Sequence, residues 1–386
     1  MLAHILEASG ARVGMATTIN IWTGIRKWVN ETKMTTLSPF ALQGLLRQMA
    51  NHRCKYAIIE TTSHALAQHR TWGIFYDIAV FTNITHDHLD FHKDFTHYRE
   101  AKSKLFRELA ESLRKPHMAK IAIVNISDPE SVHFSSFEAD KKYYFGIDNI
   151  ETALAPDSLV WAGGIHLGIE HTHFTLNTPT GSIDIKLKLP GRFNVYNALA
   201  AATAAYSVGV DLPTIGQGLE SMWQIPGRME SVPNPLGLTI IIDYAHTPDG
   251  FQQVFEALRP TAEKKLLAVF GAAGDRDKTK RPTLGAIASS FADYIVLTEE
   301  DPASEHPQDI VNQILPGIDK NKFRTGDNLH IILDRAEAIT HALKAAQPGD
   351  TVVLLAIGAQ TAMEKACGKV PYNERETVER IITAMS

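Results

Sequence analysis

Residues 82–92, Thr-Asn-Ile-Thr-His-Asp-His-Leu-Asp-Phe-His, place three histidines and two aspartates within seven positions, just after an apolar run. Imidazole and carboxylate at this density suit a divalent cation. The plain alternative is a solvated loop whose histidines cap or hydrogen-bond locally. A zinc hydrolase would need His-x-His-x-Asp-His. His86, His88 and Asp90 fit that pattern, but Phe91 stands where the last histidine belongs and His92 comes one place late. Glu60 closes a second apolar run, 55–60, and is followed by Thr61-Thr62-Ser63-His64. A carboxylate at a strand end can meet a metal or cap the next helix. Lys102 stands in the charged stretch 98–113, where a solvated lysine is the ordinary reading. Asn194 and Asn197 lie three apart at a helix start, where they could aim amides at one ligand or serve the turn. Asp243-Tyr244-Ala245-His246 and Gly271-Ala272-Ala273-Gly274-Asp275-Arg276-Asp277-Lys278 each follow an apolar run. Such loops can meet a phosphate or simply turn the chain.

These groups act together only if a scaffold brings them to one edge. Apolar runs at 12–18, 55–60 and 77–83 read as strands, and 2–10, 39–49 and 98–113 read as helices, with Ser38 as N-cap and Pro39 at the first helical position. Strands alternating with helices predict a mostly parallel sheet, whose carboxyl edge collects ligands. Residues 131–190 carry short alternating runs and Gly, Pro and Asn turns, read as an antiparallel insertion with no clear helix. After Pro226-Gly227, taken as a hinge, the pattern restarts: strand 238–243, helix 249–258, strand 265–270, helix 284–291, strand 294–298. The expectation is an α/β chain of two domains, 1–226 and 227–386, the first a nucleotide-binding parallel-sheet domain and the second Rossmann-like. The leading helix at 2–10 reads as if the first domain were incomplete, because such a domain normally opens strand, glycine-rich loop, helix.

The 386 residues, 44% hydrophobic and 21% charged, are enough for real cores. A net charge of −5 disfavours nucleic acid or an anionic membrane as partner. Cys54 and Cys367 match no metal-finger spacing and suit a reducing cytoplasm. No run is long enough to span a bilayer, and the first residues show no signal-peptide pattern.

In order along the chain, MTTLSP (34–39), ETTSHAL (60–66), AVFTNITHDHLDFH (79–92), YREAKSKLF (98–106), GRFNVYNALAA (191–201), PGRME (226–230), IDYAHTPDG (242–250) and FGAAGDRDKTKRP (270–282) resemble the Mur ligase family. Within that family they are most similar to the branch that adds the third residue of the peptidoglycan stem peptide. The resemblance covers nearly the whole chain. It implies an ATP- and Mg2+-dependent amide ligase acting on a UDP-N-acetylmuramoyl peptide and an amino acid through an acyl phosphate. It also implies roles. Glu60, His88 and a carbamylated Lys102 would hold Mg2+ and serve catalysis. Asn194 and Asn197 would face adenine or ribose, with Arg228, Asp243 and His246 holding the nucleotide. Thr35, Thr36, Ser63, Arg70 and Asp301 would contact the substrates.

The sequence departs from the family in three places. No Gly-Lys-Thr phosphate loop precedes the helix at 2–10, nor does a uridine-nucleotide domain. Residues 1–386 alone are therefore expected not to turn over ATP by this route. An in-frame loop upstream of Met1 would mark a clipped reading frame; otherwise the chain would be a non-catalytic remnant that binds nucleotide or muropeptide. Where diaminopimelate-adding members carry Asp-Asn-Pro-Arg, this chain has Glu300-Asp301-Pro302-Ala303. With no arginine and more carboxylate, lysine or another diamino acid is favoured over diaminopimelate. The usual Gly-Lys-Gly-His-Glu appears as Ile357-Gly358-Ala359-Gln360-Thr361.

Overall fold

The computed structural model describes residues 1–85, 89–148, 156–168 and 171–385. The chain divides into two compact units, Met1–Trp223 and Gln224–Ser386.

The first unit opens with α1 (Leu2–Ala8), whose Ala3, Ile5 and Leu6 are buried. There follow β1 (Val13–Ala16), β2 (Asn20–Thr23), β3 (Lys27–Val29), α2 (Pro39–Asn51), β4 (Tyr56–Ile59) and α3 (Ser63–Ala67). These strands form one sheet in the order β3-β2-β1-β4, with β1 and β4 parallel and the β1–β2 and β2–β3 pairs antiparallel. Ser38 is the α2 N-cap by position, but its side chain makes no capping hydrogen bond. Next come β5 (Ile78–Phe81), α4 (Leu89–His92), α5 (Phe95–Glu111), β6 (Ile121–Asn125), α6 (Ser131–Ser135), β7 (Lys141–Ile147), β8 (Leu159–Leu167), β9 (Thr172–Thr178) and β10 (Gly181–Leu187). These strands make a second sheet, β10-β9-β8-β7-β6-β5. Helices α7 (Arg192–Ser207) and α8 (Leu212–Glu220) complete the unit.

Two expectations change here. The parallel strands do not share one sheet, since β4 belongs to the first and β5 to the second. The stretch 131–190 is not an antiparallel insertion throughout. Helix α6 lies within it, and β7 runs parallel to both β6 and β8; only β8, β9 and β10 are antiparallel. A five-residue helix carries too little periodicity to show in the sequence, yet it is what joins β6 to a parallel β7.

The second unit contains β11 (Glu230–Ser231), β12 (Thr239–Asp243), α9 (Pro248–Leu258), β13 (Leu266–Phe270), α10 (Lys280–Phe291), β14 (Tyr294–Leu297), α11 (Pro307–Ile314), β15 (Leu329–Ile331), α12 (Arg335–Ala345), β16 (Thr351–Leu355), β17 (Ala362–Lys365), β18 (Gly368–Pro371) and α13 (Glu374–Met385). Its main sheet runs β11-β12-β16-β13-β14-β15, parallel except for β11. All five residues of β13 and of β16 are buried, as central strands covered on both faces must be. Pro226 and Gly227 fall inside this unit. Gly227 has φ +64°, and a Cβ there would lie 2.2 Å from the Ala359 nitrogen, so the residue read as a hinge is a close-packing position. Among the described residues no helix is long and apolar enough to cross a membrane.

One edge of this sheet carries a pH-sensitive cluster. The His330 and His341 rings lie 4.3 Å apart, and His341 Nε2 shares a 2.7 Å hydrogen bond with the Tyr294 hydroxyl. Burial, then the neighbouring His330, holds His341 below its ordinary 6.5. The neutral ring is the favoured folded form, so its contribution is complete above 6.5 and is lost as pH falls through the lowered value. The Tm is expected to drop as pH falls below 6.5, and less steeply in His341→Gln. Identical slopes in the two proteins would count against this assignment.

Candidate functional site

The first unit joins most of the residues singled out near its amino end through one hydrogen-bond network. The Glu60 backbone continues the ladder, its amide donating to Ala16 O at 2.9 Å. Its carboxylate Oε2 accepts from the Thr18 amide at 2.8 Å and the Thr18 hydroxyl at 3.0 Å. Thr18 Oγ1 also shares a 2.9 Å bond with Thr35 Oγ1. The buried Thr36 hydroxyl donates to Glu60 O at 2.7 Å and accepts from the Thr62 amide at 3.1 Å. Arg70 Nη1 donates to Thr36 O at 3.1 Å. Thr35, Thr36, Glu60 and Arg70 therefore stand on one scaffold.

Ser63, the first residue of α3, is buried, and its hydroxyl shares a 2.9 Å hydrogen bond with Nε2 of the equally buried His92. Sequence reasoning passed over Thr18 and weighed His92 only as an out-of-register zinc ligand. The available signals were a threonine pair at the end of β1 and a histidine four residues beyond His88.

His86, Asp87 and His88 lie outside the described residues, and with them the metal role of His88 and the zinc alternative. The root of their loop is described. Asn125 Nδ2 donates to Thr82 O at 2.7 Å, and Asp128 Oδ2 accepts from the Ile84 amide at 3.0 Å. Burial pushes the Asp128 carboxyl up, opposed by the amides of Glu130 and Ile84 and by the charge of Lys102. Lys102 thus belongs to the surroundings of this anchor, and its Nζ lies 5.2 Å from the Tyr98 ring centroid. Asn125 and Asp128 were also missed; each stands at or just after the end of β6, where a loop-anchoring side chain is needed.

At the start of α7, Asn194 is buried and donates from Nδ2 to Pro190 O at 2.8 Å, while its Oδ1 accepts from Asn197 Nδ2 at 3.3 Å. The two amides meet, and one of them is committed to the turn.

In the second unit Asp243 is buried at the end of β12. Its oxygens accept from the Met229 and Ala245 amides, both at 2.7 Å. Burial pushes this carboxyl up, against the charge of Arg228 and those two amides. Arg228 lies 5.0 Å from the Tyr244 ring centroid, and His246 Nδ1 shares a 2.9 Å bond with Tyr244 O. Arg228 thus lies beside the turn that carries Asp243 and His246.

The loops after β13 and β14 are locked together. Gly274 N donates to Asp301 O at 3.0 Å, and a Cβ on Gly274 would lie 1.8 Å from Pro302 O. The buried Arg281 donates to both Glu305 oxygens, at 2.9 and 3.0 Å, and Glu305 accepts from the Asp275 amide at 2.8 Å. The Arg281 bonds dominate in holding the Glu305 carboxyl at about 2. Asp301 Oδ1 accepts from the Glu364 amide at 2.7 Å. Met229, Asp275, Asp301, Ala303 and Ala356 all have positive φ, and strained backbone of this kind clusters at functional loops.

Among the described residues no group of three His, Cys, Asp or Glu side chains could hold a metal. The donor chemistry near Glu60 still suits a hard cation. Only one carboxylate oxygen is engaged by Thr18, the group is exposed, and hydroxyl oxygens surround it.

Comparison with known proteins gives the family and the fold. Residues 1–205 match the Mur ligase middle domain, and residues 227–358 match the family described as Mur ligase, glutamate ligase domain. A UDP-N-acetylmuramyl-tripeptide synthetase of Roseiflexus sp. is 38% identical over 388 residues, covering 98% of this chain and 75% of its own. A UDP-N-acetylmuramoyl-L-alanyl-D-glutamate–2,6-diaminopimelate ligase of Caldanaerobacter subterraneus is 38% identical, covering 99% and 74%. A solved structure of a ligase of that second name is 29% identical with a TM-score of 0.63, covering 100% of this chain and 75% of the other. The fold also matches a Mur ligase of Thermotoga maritima in complex with ADP, at 17% identity and a TM-score of 0.68, covering 100% and 77%. On this evidence the chain belongs to the Mur ligase family, whose members are ATP-dependent ligases that form carbon–nitrogen bonds.

Proposed function

We propose that this protein adds the third amino acid to a UDP-N-acetylmuramoyl dipeptide in the cytoplasm, using ATP. The observation that carries the reading is the network joining Thr35, Thr36, Glu60 and Arg70. It sets substrate-contacting candidates beside a strand-end carboxylate. In the proposed reaction a dipeptide carboxylate attacks the γ-phosphate of ATP, ADP leaves, and the resulting acyl phosphate is attacked by the incoming amine with release of phosphate. Thr35, Thr36, Ser63 and Arg70 orient the muramoyl peptide, which places the attacking oxygen. His92 fixes the Ser63 hydroxyl. Glu60, His88 and Lys102 as its carbamate would hold Mg2+, which supplies positive charge where two anions meet. Asn194 and Asn197 are assigned to adenine or ribose, and Arg228, Asp243 and His246 to the remainder of the nucleotide.

For the incoming amino acid, Glu300 and Asp301 follow β14, and Ala303 offers no cation. This favours an ammonium at the far end of the substrate, hence lysine or another diamino acid, although some relatives carry diaminopimelate in their names. Ligation by the native gene product, read by mass spectrometry with each amino acid in turn, tests both levels. Lysine is expected to be preferred about tenfold or more, the scale of one unmatched charge at a partly solvated site. Preference for diaminopimelate would overturn the specificity, and no ligation with either would overturn the function.

A further inference from the structure

The loop that carries Asp301 holds two non-glycine residues in the left-handed region, Asp301 at φ +30° and Ala303 at φ +51°. Such backbone persists where its surroundings over-determine it. Here much of that restraint comes from β17. The Glu364 amide donates to Asp301 Oδ1 at 2.7 Å, and the Ala303 amide donates to Glu364 O at 2.9 Å. One residue later, Lys365 Nζ donates to Glu299 Oε1 at 2.6 Å. Two adjacent residues of one strand thus grip the loop at 299, 301 and 303. The grip works in both directions. β17 and β18 form a sheet of their own, and β18 is largely exposed. A lone two-stranded hairpin is marginal in water, so β17 needs the loop as much as the loop needs β17. The Lys365–Glu299 pair is the ionic part of this joint, with side chains 33% and 9% exposed.

We propose that Lys365 is a positioning residue for the incoming amino acid: through Glu299 it locks the strained loop in the shape that presents Asp301 to the substrate. This rests on the assignment of Asp301 to the incoming amino acid. Lys365 acts through Glu299 and needs no contact with the substrate. A carboxylate recognises an ammonium well only when it is held in place, so a loosened joint weakens amino-acid binding without touching the phosphate chemistry.

Breaking the pair from each side separates position from charge. Lys365→Gln removes a positive charge beside the loop and Glu299→Gln a negative one. A purely electrostatic effect on a charged substrate would therefore move its KM in opposite directions, whereas loss of position raises it in both. In steady-state ligation by the native gene product, the KM for its preferred amino acid is expected to rise about fivefold in each variant, the scale of a partly exposed ion pair. The kcat and the KM for ATP are expected to stay within about twofold of the parent, and Lys365→Arg, which keeps the charge, to restore the amino-acid KM. Amide hydrogen exchange at Ala303 and Glu364, whose amides cross the joint, is expected to quicken in both glutamine variants. An unchanged amino-acid KM in both, shifts of opposite sign, or exchange equal to the parent's overturns the proposal while the ligase assignment stands. No ligation by the parent overturns that assignment and the proposal with it.

Discussion

Glu60→Gln is expected to lower ligation by the native gene product about 100-fold or more while leaving Tm nearly unchanged. Losing a charged ligand to a catalytic cation removes several kcal/mol of charge stabilisation, at about 1.4 kcal/mol per tenfold. Stability is spared because Glu60 is exposed and an amide oxygen can still accept from Thr18. Binding of Mn2+ in the presence of nucleotide, read by electron paramagnetic resonance, should fall in the same variant. Wild-type turnover with undiminished Mn2+ binding would remove Glu60 from the mechanism. Thr18→Val, which takes away only the orienting hydroxyl, should cost about 10- to 100-fold, the usual range for a group that orients a metal ligand.

The second large effect is on stability. Arg335 and Glu374 are 1% and 0% exposed. Arg335 Nη2 donates to Glu374 Oε1 at 2.5 Å and to Leu355 O at 2.8 Å, and the Tyr372 hydroxyl donates to Glu374 Oε2 at 2.5 Å. Burial, then the Glu374 charge, pushes the Tyr372 hydroxyl far above its ordinary range. Glu374→Gln leaves a guanidinium in the interior without its counter-charge and should destabilise the second unit by about 3–5 kcal/mol. Replacing both partners, Arg335→Met with Glu374→Leu, should cost much less, because no unpaired charge is left behind. Urea unfolding of the three proteins decides this; a loss below about 1 kcal/mol in Glu374→Gln would show that water reaches the pair.

Much of the scaffold is legible locally. Runs such as 55–60 and 265–270 are short, apolar and bounded by polar residues, and they became β4 and β13. Segments 20–23 and 27–29, joined through Gly24 at φ +84°, form a hairpin that the same reading passed over. Its strands are too short to show alternation, and β3 is exposed throughout. The division of parallel strands between two sheets was also hidden, since strand order depends on pairing between segments and not on any one of them.

The candidate site divides in the same way. Glu60 and Lys102 were singled out from residue type and position, and Thr35, Thr36 and Ser63 through the family resemblance, because motifs are properties of the chain itself. Their partners were not. Thr18 lies 42 residues from Glu60, His92 29 from Ser63, and Asp128 44 from Ile84. Which residue types and motifs the protein carries, and hence its family resemblance, was determined by the sequence alone. Which side chains orient them was decided only by tertiary structure, because a hydrogen bond acts over about 3 Å and only folding brings such distant positions that close.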